Sequence, residues 1–366
     1  MKVLHFILGK ANKHRANGVN QVIAGLAKHS ARLGAEIHVI GKSQTVDVEG
    51  EFIVRDGFAV EAFSRWGVKL YFALIRGIQW SDIVHLHGVY SPWNLMVARM
   101  CIVLGRPYIL TLHGGLSPSL AKGRVGFKKF IFHSLFQRRH IQHAAGVHVL
   151  AEEEASDLLA IAEPSNIFYI PNGIDLEDYP SLNDLTKSSL EEVNIGYLGR
   201  LSPEKNLDAL CEAFASINTD GSMRLKLAGP PTAYGDALLH RFHRHGVVGV
   251  GPLFGEEKIK FIRSLDLFVH PSLSEVFSIA AMEVLAQGTP LLITRTSKAS
   301  YFYDRNAFFM CEPTAFGLQR GLLDAFDNRM VWLEKTRNGR QLVEDRLNWD
   351  AAAKDMLKVY AAIMDK

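Results

Sequence analysis

The stretch Ser264–Thr294, SLDLFVHPSLSEVFSIAAMEVLAQGTPLLIT, constrains the fold more than any other part of the chain. Leu267, Phe268 and Val269 form a short apolar strand, and Pro271 to Glu275 is turn-prone. Ser278 or Ser274 can cap a following helix, which Gly288 and Pro290 end before a second strand at Leu291–Thr294. Strand, loop, helix, strand places a helix N-terminus at the carboxyl edge of parallel strands. Its unpaired N–H groups and macrodipole favour a phosphate there. Two carboxylates bracket that terminus, Glu275 before it and Glu283 two to three turns on. Carboxylates repel phosphate, so they serve hydroxyl groups. A sugar and a ribose joined through a diphosphate have that layout.

The spacing E-x7-E from Glu275 to Glu283, after a strand ending in Pro271-Ser272 and before A-x-G-x-P at Ala286, Gly288 and Pro290, resembles the family-4 retaining glycosyltransferases. That resemblance implies two Rossmann-like domains facing a central cleft, the GT-B arrangement. It implies that Glu275 holds the donor sugar and Glu283 the donor ribose, with Phe277, Ser278 and Ile279 also along the donor. The family usually has glycine where this chain has Val276 and Ser278, so backbone approach to the donor is expected to differ.

A chain of 366 residues suits two domains, and 48% hydrophobic with 22% charged residues is an ordinary folded composition. Cys101, Cys211 and Cys311 are widely separated, which argues against a disulfide framework or a zinc site and for a reducing compartment. No run reaches the length of a membrane span, and the apolar start at Met1–Gly9 reads as a buried strand rather than a signal peptide. A cytoplasmic location is the expectation.

The first 40 residues repeat the strand–loop–helix–strand pattern, with Val22, Ile23, Leu26, Ala27 and Leu33 as the helical stripe and Gly34 as its C-cap. Asn17-Gly18 lies in the loop, where the resembled family has Gly-Gly close to donor phosphates and acceptor. The glycine fingerprint G-x-G-x-x-G is absent, which disfavours a dinucleotide-dependent dehydrogenase. Two strands then end in His-Gly, at His87-Gly88 and His113-Gly114. They put both histidines at one sheet edge, where open α/β sheets bind ligands. The segment Thr111–Gly114 is similar to the family's T-x-H-G, which implies a place for His113 beside the reacting sugar, with His87, Asn17 and Gly114 towards the acceptor. His85, His87 and His113 also invite a metal, yet no nearby carboxylate or cysteine completes a set. No metal and no other cofactor are expected.

Between Asp82 and Glu152 there is no acidic residue, while Arg99, Arg106, Lys122, Arg124, Lys128, Lys129, Arg138 and Arg139 all fall there. Within that zone Phe127, Phe130, Ile131, Leu135 and Phe136 recur at roughly helical spacing. A basic, phenylalanine-rich helix fits an anionic membrane surface, and it equally fits a helix that packs its apolar face and solvates its charges. No stacking platform or nucleic-acid motif accompanies it, so nucleic acid is not an expected partner.

Pro171-Asn172-Gly173-Ile174-Asp175 resembles the family's hallmark at the end of the first domain, and the polar stretch that follows reads as a linker. A second domain opens with a strand at Val193–Leu198 and the loop Gly199-Arg200 to Lys205-Asn206. G-R-x4-K-N resembles the family's diphosphate-binding loop, which assigns the donor phosphates to Arg200 and Lys205. Fixed cations there stabilise the charge that builds on a departing diphosphate. Leu253, after the glycine-rich Val248–Gly251, is placed at the base. The expected organisation is an acceptor domain over residues 1–180, a donor domain over residues 190–348, and a helix over residues 349–366 returning to the first domain. The expected activity is transfer of a hexose-type sugar from a UDP-sugar, or alternatively a GDP-sugar, to a glycan or lipid-linked acceptor. An epimerase that hydrolyses its donor, or a non-catalytic nucleotide-sugar binder, fits the same donor residues.

Overall fold

The computed structural model describes residues 1–9, 18–43, 46, 48–116, 136–179, 192–273, 275, 278–296 and 305–365. The chain divides into two compact units, Met1–Gly173 with Trp349–Lys366, and Ile174–Asn348. Phe277 and Asn17 lie outside the described residues, as does most of the basic phenylalanine-rich segment.

The first unit is built on eight strands: β1 Lys2–Ile7, β2 Glu36–Lys42, β3 Phe52–Arg55, β4 Phe58–Phe63, β5 Ile83–His87, β6 Tyr108–Thr111, β7 Gly146–Val149 and β8 Ile167–Tyr169. Their order is β3-β4-β2-β1-β5-β6-β7-β8, and every pairing is parallel except the β3–β4 hairpin. β5, β6 and β7 are buried at every residue, as expected of parallel strands covered on both faces. The helix Pro92–Val103 follows β5, with proline in its first turn and Ser91 Oγ accepting the Asn94 N–H at 3.3 Å. The last helix, Trp349–Met364, packs on the helix Gly18–Arg32. That contact depends on Gly25, where a Cβ atom would come within 2.3 Å of the Trp349 ring. His29 Nδ1 meets the Asp350 carboxylate at 2.6 Å along the same seam.

The second unit carries β9 Val193–Leu198, β10 Met223–Ala228, β11 Val247–Gly251, β12 Leu267–His270, β13 Leu291–Thr294 and β14 Phe309–Cys311. All are parallel, in the order β11-β10-β9-β12-β13-β14. Both units are therefore Rossmann-like. Each sheet reverses its winding once, between β1 and β5 in the first and between β9 and β12 in the second. A doubly wound sheet binds ligands outside the carboxyl ends of its strands at such a point. The three cysteines are free and buried.

One boundary differs from the sequence reading. Ile174 to Tyr179, read there as the tail of the first domain and the start of a linker, group with the second unit. The Ile174 N–H donates to the Leu347 carbonyl at 3.0 Å, and Arg340 Nη1 donates to the Tyr179 carbonyl at the same distance. These bonds tie the segment to the helix Trp332–Asp345 and the residues just after it.

Candidate active site

In the second unit the predicted donor residues collect around the β9/β12 reversal. β9 runs into Gly199 and Arg200, and a short 3-10 turn at Pro203–Lys205 precedes the helix Leu207–Ile217. Asn206 holds a left-handed conformation, φ 57°, and its Nδ2 donates to the Pro313 carbonyl at 2.8 Å, which fixes the turn that aims Lys205. The Lys205 ammonium pairs with the Glu275 carboxylate, and both side chains are largely buried. Arg200 stays exposed, with Glu204 as its charged neighbour at 3.9 Å. Ser278 caps the helix Ile279–Ala286, its Oγ accepting the Ala281 N–H at 3.2 Å. The cap leaves the N–H groups of Ile279 and Ala280 without an acceptor inside the helix.

Glu283 lies on that helix and is 6% exposed. Lys258 Nζ donates to it at 2.6 Å. Tyr179 is buried against the same carboxylate, and burial first, then the Glu283 charge, raises its phenol well above the usual range. Arg340 Nη1 donates at 2.7 Å to the Ala286 carbonyl and so braces the C-terminal end of the Glu283 helix. Leu253 is half-buried in the turn between β11 and the Lys258 helix, Gly255–Ser264.

Three members of this cluster carry no signal in spacing alone: Lys258, Tyr179 and Arg340 reach it only through the tertiary fold. His270 does carry one. It ends β12 immediately before Pro271, the same strand-end position that His87 holds on β5. Burial lowers it to about 4, so it is neutral near pH 7. Neither ring nitrogen has a hydrogen-bond partner, and Nε2 lies 3.8 Å from the Glu275 carboxylate.

In the first unit His87 and His113 come together as their shared sheet edge predicts, with His87 Nδ1 3.1 Å from His113 Nε2. His113 has φ 51° and Gly114 φ 74°, a tight left-handed turn just beyond β6. A histidine there is strained, and such strain persists only where surroundings enforce it. The enforcing group is Glu154, fully buried in the first turn of the helix Glu152–Leu159. It accepts the Gly114 N–H at 2.5 Å and the Leu150 N–H at 2.7 Å. On the His87 side, Asn94 Nδ2 donates to the carbonyls of His87 and Gly88 at 2.9 and 2.7 Å. Gly18 opens the helix beyond β1 and is exposed.

The metal question shifts to a different trio, because His5, His85 and His87 bring one ring nitrogen each within 4.8 Å. His85 is already committed: Nε2 meets Thr111 Oγ at 2.5 Å and Nδ1 meets the Tyr360 hydroxyl at 2.6 Å. A cation there would have to break one of those bonds.

Two Rossmann-like units, the second gathering two cations, two carboxylates and a capped helix terminus at its sheet reversal, have the make-up of a glycosyltransferase-type enzyme. Comparison with known proteins agrees. Residues 16–178 match the family described as Glycosyltransferase Family 4, and residues 192–324 match Glycosyl transferases group 1. This chain belongs to the group 1, family 4 glycosyltransferases. It is 23% identical to a D-inositol 3-phosphate glycosyltransferase of Jonesia denitrificans, over 94% of this chain and 91% of that one. It is 24% identical to a GDP-mannose:cellobiosyl-diphosphopolyprenol alpha-mannosyltransferase of Xanthomonas oryzae pv. oryzae, over 79% and 77% of the two chains. The solved structure of Anabaena HepE with UDP-glucose superposes with a TM-score of 0.76 at 16% identity, covering 99% of this chain and all of that one.

Proposed function

We propose that this glycosyltransferase moves a hexose-type sugar, with retention of configuration, from a nucleotide sugar to a glycan or lipid-linked acceptor. UDP-sugar is the favoured donor and GDP-sugar the alternative. The observation that carries this reading is the cluster at the β9/β12 reversal: Arg200, Lys205 and a capped helix terminus for the diphosphate, with Glu275 and Glu283 for hydroxyls. An ammonium has three donors, so Lys205 can keep Glu275 while it meets a phosphate oxygen. In the transfer, the bond from the anomeric carbon to the phosphate oxygen breaks and the acceptor oxygen bonds to that carbon on the same face. The acceptor proton passes to the departing phosphate. Arg200, Lys205 and the amides of Ile279 and Ala280 stabilise the charge left behind, and neither a metal nor another cofactor is required.

His113 is proposed to touch the transferred sugar, and His87, Asn17 and Gly114 to line the acceptor side. The proposed setting is assembly of a bacterial surface polysaccharide or glycolipid on the cytoplasmic face of the membrane. The acid-free zone from Ile83 to Ala151 supports it, and so does the diphosphopolyprenol in the Xanthomonas relative's name. Each cation near an anionic surface contributes on the order of 1 kcal/mol, enough in combination for reversible attachment. Co-sedimentation with anionic vesicles is expected to fall with salt and to vanish when Lys122, Arg124, Lys128 and Lys129 are changed to serine; no binding at low salt removes the membrane setting.

A panel of nucleotide sugars screened by thermal shift identifies the donor, and nucleotide release with and without acceptor then tests transfer. Release that depends on acceptor is the expected result. Release without one points to the epimerase or hydrolase reading, and donor binding with no turnover under either condition points to a binding protein.

A further inference from the structure

Five histidines of the first unit, His5, His85, His87, His113 and His148, form two hydrogen-bonded chains, and the first of them has a fixed direction. The Ile170 carbonyl can only accept, so His148 Nε2, 2.8 Å away, carries the proton. Burial lowers His148 to about 4, which keeps the ring neutral and makes Nδ1 an acceptor for the Thr111 hydroxyl at 2.8 Å. Thr111 then accepts from His85 Nε2, and His85 Nδ1 accepts from Tyr360. Every polar atom in that chain has one role, and none is left to vary.

The second chain runs His5, His87, His113. His5 Nδ1 and His87 Nε2 are 2.9 Å apart, with ring centroids 5.2 Å apart and ring planes 16° from parallel. The centroid separation exceeds the nitrogen separation by about two ring radii, so the rings meet edge to edge, as an N–H···N bond requires. His87 Nδ1 and His113 Nε2 repeat the arrangement at 3.1 Å, with centroids 5.3 Å apart and planes 27° from parallel. Burial keeps these rings neutral, with His5 and His113 lowered to about 3. A neutral chain of this kind has two polarities. In one, every Nδ1 carries its proton. In the other, every Nε2 does, which would bury an N–H at His5 Nε2, an atom with no partner. An orphaned buried N–H is the rarer defect, so the first polarity is favoured.

We propose that His5 and His87 are positioning residues that hold His113 as its Nδ1–H tautomer, so that His113 offers its ligand a hydrogen-bond donor and never an acceptor. The group it meets must then present an oxygen lone pair, as a sugar hydroxyl or a phosphoryl oxygen does. The value of the chain to catalysis rests on the proposed contact between His113 and the transferred sugar, whereas the tautomer itself is a property of the free protein.

Long-range proton–nitrogen correlation spectra of the full chain labelled with 15N-histidine read the tautomer directly. The expected spectrum of the free protein shows His113 with a protonated Nδ1 and a bare Nε2. His5→Asp, whose carboxylate can only accept where His5 Nδ1–H donated, should reverse the chain and move His113 to the Nε2–H form. His5→Asn, whose amide N–H stands where His5 Nδ1–H stood, should keep the wild-type pattern and with it kcat/KM. An Nε2–H His113 in the wild type, or a tautomer unchanged by His5→Asp, overturns the proposal. The wild-type spectrum decides even if His5→Asp does not fold. His113→Ala should lower kcat/KM roughly tenfold, the loss of one hydrogen bond. Full activity in that variant would remove the substrate contact and leave the tautomer assignment standing.

Discussion

Glu275 and Glu283 each face a lysine, but their surroundings give them different expected behaviour. Glu275 shares Lys205 with the proposed phosphate site, and Glu283 is packed between Lys258 and Tyr179. Glu275→Gln is expected to cut turnover with intact donor while sparing affinity for the bare nucleoside diphosphate; Glu283→Gln should weaken both. Calorimetric titration with UDP and GDP checks this, and equal losses in the two variants would erase the distinction. Lys258→Met strands a buried carboxylate, at a cost of about 3 kcal/mol in a urea titration, and Glu283→Gln in the same chain should recover much of it. An additive double mutant would mean the pair is not coupled.

Acid provides another test at this scale. His5, His85, His87 and His148 are buried and neutral, with pKa values depressed from 6.5, to about 3 for His5 and about 4 for His148. The unfolded chain binds more protons than the folded one below pH 6.5. Their contribution to stability is therefore full above that value and falls as pH drops towards the folded pKa values. Each histidine removes about 1.4 kcal/mol per pH unit in that window. Urea midpoints measured from pH 7.5 to 5 should fall steeply, and a flat profile would contradict neutral burial.

At the level of elements, what was legible followed from how each segment is covered. β9 and β13 were readable to the residue, because buried parallel strands leave short apolar runs bounded by glycine, proline or charge. Residues 41–80 were less legible, since the apolar run Phe52–Val54 belongs to β3, which is mostly exposed. Their readable signal is Asp56-Gly57, with φ 50° and 85°, the tight turn between β3 and β4. Lys258 and Tyr179 meet Glu283, and Arg340 braces the end of its helix, from three separate segments, so no local pattern links them. The Ser278 cap was legible, being a serine just before an apolar helix. Ser278→Ala should lower stability by about 1 kcal/mol and also weaken diphosphate binding, because it loosens the amides that the phosphate needs. A stability loss with unchanged nucleotide affinity would detach that helix from the donor site.

Across the whole molecule, two sheets, parallel apart from the β3–β4 hairpin, each reverse once, and the donor residues that sequence spacing singled out collect at the reversal of the second. The central claim is that the reversal in the second unit seats the donor diphosphate. Its most direct measurement is the affinity of the full-length chain for UDP and GDP, compared with Arg200→Ala and Lys205→Ala. Each lost charge-assisted contact should cost roughly 1.5–3 kcal/mol, a weakening of more than tenfold. Wild-type affinity in both variants would contradict the account.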